Sequence, residues 1–218
     1  MLNTDKRSKY KCVVWDWNGT IIDDIQASLL SVNDMLIKRN LPVINLQQYH
    51  SYLDTPIYKF YEHIFDLDKI PFDIIQKEFN EGYNKHISSN PLNDGVVEIM
   101  ELLEKNNVKQ VVVSSSHQDI VESGAKRFDV SKFLECISGS YDNFVGSKVE
   151  RAINVISKIT KDYSQVVVIG DTLHDCQLAN EIGADCILLS TGHQSKDDLL
   201  TTGKPVINSL KELIKYLF

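Results

Sequence analysis

The chain has 218 residues, 43% of them apolar and 24% charged, with a formal net charge of −7. That length admits one large domain or a domain with a sizeable insertion, and the apolar share suffices for a buried core, which excludes a disordered chain. The acidic balance argues against DNA or RNA as the main partner, since polyanion binding draws on clustered Lys and Arg, and no apolar run is long enough to cross a bilayer.

The opening MLNTDKRSKYKC lacks an apolar stretch of signal-peptide length, so a cytoplasmic location is expected. Cys12, Cys136, Cys176 and Cys186 are scattered without a CxxC pair and read as reduced packing thiols. Residues 12–16, CVVWD, read as a buried strand that stops at an acid. Residues 25–90 carry four amphipathic helical candidates with no strand between them: IQASLLSVNDMLIKRN, LQQYHSYL, IYKFYEHIF and FDIIQKEFNEGYNKHI. Hinges are expected near Ile22–Asp24 and in the turn Pro91–Gly95.

From Gly95 onward helices and strands alternate. GVVEIMELLEKNN, HQDIVESGAKRF, KVERAINVISKI, LANEIG and SLKELIKYLF have helical spacing, and KQVVVSSS, ECISGS, QVVVIGD and DCILLS are strand-like. Apolar strands without polar alternation point to a parallel sheet covered on both faces. The expected architecture is an α/β fold, with a Rossmann-like core from residues 1–22 and 92–218 and an inserted helical cap at 23–91.

In an open parallel sheet, ligands gather outside the carboxyl ends of the strands. Three strands end in chemically useful residues: VVWD in Asp16, VVV in Ser114, Ser115 and Ser116, and VVVIGD in Asp171, with Asp175 four places on. Lys148 stands at the start of a helix one connection away. Carboxylates gathered at one edge repel each other unless a hard cation such as Mg²⁺ lies between them. Asp16 can then attack phosphorus, provided the phosphate's own charge is neutralised by the cation and Lys148 while Ser114 orients the oxygens. Each residue also has an ordinary explanation. Asp16 with Gly19 and Thr20 could mark a tight turn, and Ser114–Ser116 could cap a helix starting near His117.

The joint order of these features resembles the haloacid dehalogenase superfamily, in its phosphoglycolate-phosphatase and phosphonatase-like branch. DWNGT is similar to the motif D-x-D-G-T at all but one specified position, Ser114 to the second motif, Lys148 to the third, and GDTLHD to G-D-x-x-x-D. The resemblance implies a Mg²⁺-dependent phosphatase acting on a small phosphorylated metabolite, with Asp16 as nucleophile. It implies Mg²⁺ on Asp16, Asp171 and the backbone carbonyl of Asn18, with Asp175 in the same cluster, ligating or holding Lys148. Thr20, Ser114, Ser115 and Lys148 are then expected around the phosphoryl group. A monomer or weak dimer is expected.

Asn18 is the departure, since it stands where these phosphatases carry the acid that protonates the leaving oxygen. An amide cannot serve at neutral pH, and general acid–base help is typically worth about 10²–10⁴ in rate. The expectation is a slow enzyme, one suited to good leaving groups, or one in which His50, Lys59, His63, His86 or His117 supplies the proton. The alternatives are a catalytically impaired protein that binds a phosphometabolite or a protein partner, and a phosphonatase-like C–P hydrolase using a cap lysine such as Lys59.

Overall fold

The computed structural model describes residues 8–54, 56–89, 91–141 and 147–218. Within them β1 (Cys12–Trp15), β2 (Lys109–His117), β3 (Cys136–Ser140), β4 (Val166–Gly170), β5 (Asp185–Leu189) and β6 (Val206–Ile207) form one sheet in the order β3-β2-β1-β4-β5-β6. All its pairings are parallel. This is the doubly wound α/β arrangement, with the order reversing on either side of β1.

Alternation along each strand decides which face a residue serves. Val13 and Trp15 join Val112, Val167, Ile169 and Ile187 in a cluster closed by α5 (Val96–Lys105), α6 (Gln118–Arg127) and the C-terminal segment. Cys12 and Val14 join Val111, Val113, Val168 and Cys186 in the opposite cluster, closed by α7 (Lys148–Ile156) and α8 (Leu173–Ile182). Both faces are dry, so the strands carry Val and Ile at consecutive positions. The Trp15 indole N–H, buried there, is satisfied by Gln110 at 3.1 Å.

Helices α1 (Ile25–Lys38), α2 (Leu46–Tyr52), α3 (Tyr58–Glu62) and α4 (Phe72–His86) bury a third cluster of their own, with Ile25, Leu29, Val32 and Leu36 from one stripe of α1 meeting Tyr49, Phe60, Tyr61 and Ile75. At Gly82 the two long helices touch, and an added Cβ would lie 3.1 Å from Ser31 Cα. The segments entering and leaving this helical unit run side by side. Asp23 N–H donates to Pro91 O at 2.7 Å and Asn93 N–H to Ile21 O at 2.9 Å.

Two local expectations are revised, and two short elements went unread. The strand β2 runs through Ser114–Ser116 with a register irregularity before His117, and the cap of α6 is His117 itself, whose Nδ1 accepts from Asp119 N–H. The two-residue β6 and the short α9 (Lys196–Leu200) are too brief to show a period. SLKELIKYLF starts as a 3₁₀ turn over Leu210–Leu213 before α10 (Ile214–Leu217). Among the described residues no helix is long and apolar enough to cross a membrane.

Candidate active site

Register brings the chemistry together. Trp15 is level with Val112 on one side and Ile169 on the other, so the next residue of each strand reaches the same rim. Asp16 N–H continues the ladder onto Ile169 O at 2.9 Å, which fixes the backbone from which its carboxylate projects. Asp171 follows β4 directly, and Asp175 lies in the first turn of α8.

Lys148 opens α7, whose start is fixed by a capping box between Ser147 and Glu150. Its buried ammonium lies 2.5 Å from Asp16 Oδ1 and 2.7 Å from Asp175 Oδ1. One turn on, Arg151 donates to Ser114 O at 2.8 Å and ties α7 to the end of β2. The other oxygen of Asp175 accepts from Asp171 N–H, Thr172 N–H and the Thr172 hydroxyl at 3.2, 3.1 and 2.7 Å. Both its oxygens are therefore engaged, one by the helix start and one by Lys148. Asp171 accepts the Thr20 hydroxyl at 3.0 Å and His193 N–H at 2.7 Å. Thr20, expected at the phosphoryl group, instead directs its hydroxyl to this carboxylate. Ser114 is buried and accepts Ser116 N–H at 3.0 Å, whereas Ser115 is exposed.

Asp16, Asp171 and Asp175 each offer an oxygen within 4.8 Å of the others, and all three are buried. Burial pushes the Asp16 carboxyl up to about 8, with Lys148 opposing and Asp175 and Asp171 adding to the rise. Burial likewise lifts Asp171 to about 6. Asp175 goes the other way, because Lys148 outweighs its burial. For Lys148, burial alone would lower the pKa, and Asp16 with Asp175 drives it upward instead. The protein thus gathers more acid than its lysine neutralises. This fits a hard divalent cation, whose all-oxygen preference the cluster meets and whose charge would let Asp16 and Asp171 ionise. Space is kept by glycine at Gly19, where φ is +72° and any Cβ would strike Asp171 Oδ2.

Beside this cluster Asn18 sits among residues that sequence reasoning passed over, Asp24 first among them. Asn18 donates from Nδ2 to Asp24 Oδ2 at 2.7 Å and accepts the Ser116 hydroxyl on Oδ1 at 2.6 Å. Asp24 also receives Gly19 N–H at 2.7 Å and the Tyr83 hydroxyl at 2.9 Å, and its Oδ1 is 3.1 Å from His193 Nε2. His193 in turn meets the Tyr49 hydroxyl at 3.0 Å. Burial would raise the Asp24 carboxyl, but His193 and the other donors hold it below the ordinary carboxylate range. Burial opposes the imidazolium, yet Tyr49, Asp24 and Asp171 together raise His193 well above its ordinary value.

Four of the expected proton sources are engaged by other groups. Lys59 faces Asp54 at 3.5 Å, His63 stacks on Tyr52 at 5.0 Å between ring centres, His86 is 2.9 Å from Asp34, and His117 caps α6. His50 is half-buried on α2, and burial pulls its pKa down.

Comparison with known proteins gives the same direction. The chain is 24% identical over 202 residues to the N-acetylmuramic acid 6-phosphate phosphatase of Pseudomonas aeruginosa, covering 88% of this chain and 87% of that one. It is 22% identical over 214 residues to a phosphoglycolate phosphatase of Pseudomonas syringae pv. syringae, covering 94% and 78%. In fold it is similar to a haloacid dehalogenase-like hydrolase from Streptococcus pneumoniae, with a TM-score of 0.82 at 16% identity over 96% and 99% of the two chains. Residues 13–189, spanning the sheet rim from β1 to β5, match the haloacid dehalogenase-like hydrolase family, and the chain belongs to that family.

Proposed function

We propose that this protein is a phosphatase that hydrolyses a monoester of a small phosphorylated metabolite through an aspartyl-phosphate on Asp16. The observation that carries this reading is the buried constellation of Asp16, Lys148, Asp175 and Asp171 at the C-terminal rim of β1 and β4. The phosphatase names of the relatives support it.

In this reading an Asp16 carboxylate oxygen attacks phosphorus in line with the ester oxygen, which departs with the bonding pair and takes up a proton from solvent. Water then attacks the phosphorus of the aspartyl-phosphate and releases a proton to solvent, the P–O bond to Asp16 breaks, and phosphate leaves. Lys148 is held by Asp175 beside the nucleophile, so its charge meets the phosphoryl oxygens without reorganisation. Ser114 and the amides at the end of β2 orient those oxygens. A divalent cation such as Mg²⁺, held by Asp16, Asp171 and the Asn18 backbone carbonyl, would supply the remaining positive charge. Asp175 serves as the support of Lys148, and Thr20 as the support of Asp171. The helices of residues 23–91 act as the cap over this rim and set the choice of metabolite.

Asn18 neither gives nor takes a proton, which favours good leaving groups such as acyl or aryl phosphates. Turnover of a broad panel of phosphate esters with Mg²⁺ should be lost in Asp16→Ala, and an undiminished rate in that variant overturns the assignment. The amide at 18 also favours a second reading, a family member that binds a phosphometabolite without turning it over. Rapid hydrolysis of any ester on that panel removes it.

A further inference from the structure

We propose that Asp24 is a positioning residue of this site: with Asn18 it forms an obligate carboxylate–amide pair that sets the loop after the nucleophile and ties it to helices α2 and α4. The proposal deepens the phosphatase reading, and part of its test is independent of that reading.

Asp24 is 1% exposed, at the point where the chain leaves the nucleophile loop for α1. A buried carboxylate is tolerated only if its oxygens are met. Here Oδ1 takes Gly19 N–H and faces His193, and Oδ2 takes Asn18 Nδ2 and the Tyr83 hydroxyl. These partners come from both site loops and from α4, and through the 3.0 Å contact of His193 with Tyr49 the chain of bonds reaches α2.

The orientation of Asn18 follows from its neighbours, because its Oδ1 accepts the Ser116 hydroxyl and only an N–H can face Asp24. A carboxylate at 18 would set oxygen against oxygen across the present 2.7 Å, and the two would meet only if one took up a proton. Asn18 is therefore not merely an acid lost. It is the donor half of a pair whose acid has moved to 24, and restoring Asp at 18 alone should harm the site.

Exchanging the two groups tests this. Asn18→Asp, Asp24→Asn and the double variant are compared with the parent protein by thermal unfolding and by kcat and KM for p-nitrophenyl phosphate with Mg²⁺. Asn18→Asp should lower Tm by about 5 °C or more, given the cost of facing buried charges. The double variant should regain most of that loss, since the amide at 24 can donate to the carboxylate at 18. Its kcat should likewise recover about tenfold over Asn18→Asp at similar KM, a coupling that a purely structural role would not produce. Full stability and a faster rate in Asn18→Asp alone, or losses in the double variant that equal the sum of the single ones, overturn the pairing. A parent protein that hydrolyses no ester would count against the phosphatase reading, and the unfolding cycle would still decide the pair.

Discussion

Lys148 is the residue on which the charge balance turns, because it is the cation within 2.7 Å of both Asp16 and Asp175 in a buried setting. Removing it leaves carboxylates facing each other without compensation, which typically costs about 3–5 kcal/mol when a buried pair is broken. Lys148→Ala should therefore unfold at a markedly lower temperature in chelator, and Mg²⁺ should recover part of the loss by supplying positive charge to the same carboxylates. Differential scanning calorimetry with and without the metal checks this; a variant as stable as the parent in chelator would show that Lys148 does not hold the cluster. The sequence made Asp16, Asp171, Asp175 and Lys148 legible because each sits at a strand end or helix start within an ordered motif. Asp24 and His193 were not legible, since Asp24 reads as an ordinary helix entry and its partners Tyr83 and His193 are 59 and 169 positions away. His193 lies in the loop after β5, at the strand ends where ligands gather, but DCILLS ends in no residue that singles it out.

Between α1 and α4 the contact is close enough that one glycine sets the spacing. Gly82 faces Ser31, and Tyr83, which donates to Asp24, is the next residue. Gly82→Leu has no room for its side chain, and overpacking of this kind costs about 1–3 kcal/mol. Hydrogen exchange should quicken at the amides of α1 and α4 while those of β1 and β4 stay protected, and kcat should fall because Tyr83 is displaced. Equal loss of protection in sheet and helices would mean that the two unfold as one unit. At this scale the apolar runs of β1, β2, β4 and β5 gave away a sheet dry on both faces, and the helical stripe of α1 was equally plain. Short elements escaped. A two-residue strand has no period, and the register irregularity of β2 between Val113 and His117 leaves no mark in the run of serines.

Taken as one titrating body, the protein should be most stable in mild acid when no metal is present. Asp16, raised by burial to about 8, and Asp171, raised to about 6, keep protons in the folded state that the unfolded chain releases in the ordinary carboxylate range. The folded state therefore binds more protons, and stability falls as pH rises through those values. His193 acts in the same sense: burial opposes its charge, but Tyr49, Asp24 and Asp171 raise it, so its contribution is complete below the ordinary histidine value and is lost as pH climbs through the folded one. Asp175 and Asp24 set the acid limit, since burial is outweighed in each by a cationic partner and their stabilisation disappears once pH drops through the lowered values. In chelator, Tm should accordingly decline from about pH 6 to about pH 9. On the proposed reading Mg²⁺ would be held by the ionised carboxylates, so the increment it adds should be larger at about pH 8 than at about pH 6. Thermal scans across that range with chelator or millimolar Mg²⁺ measure both slopes. A chelated protein that gains stability toward alkaline pH would mean that Asp16 and Asp171 carry no protons to surrender, and a metal increment independent of pH would mean that the cation displaces none from them.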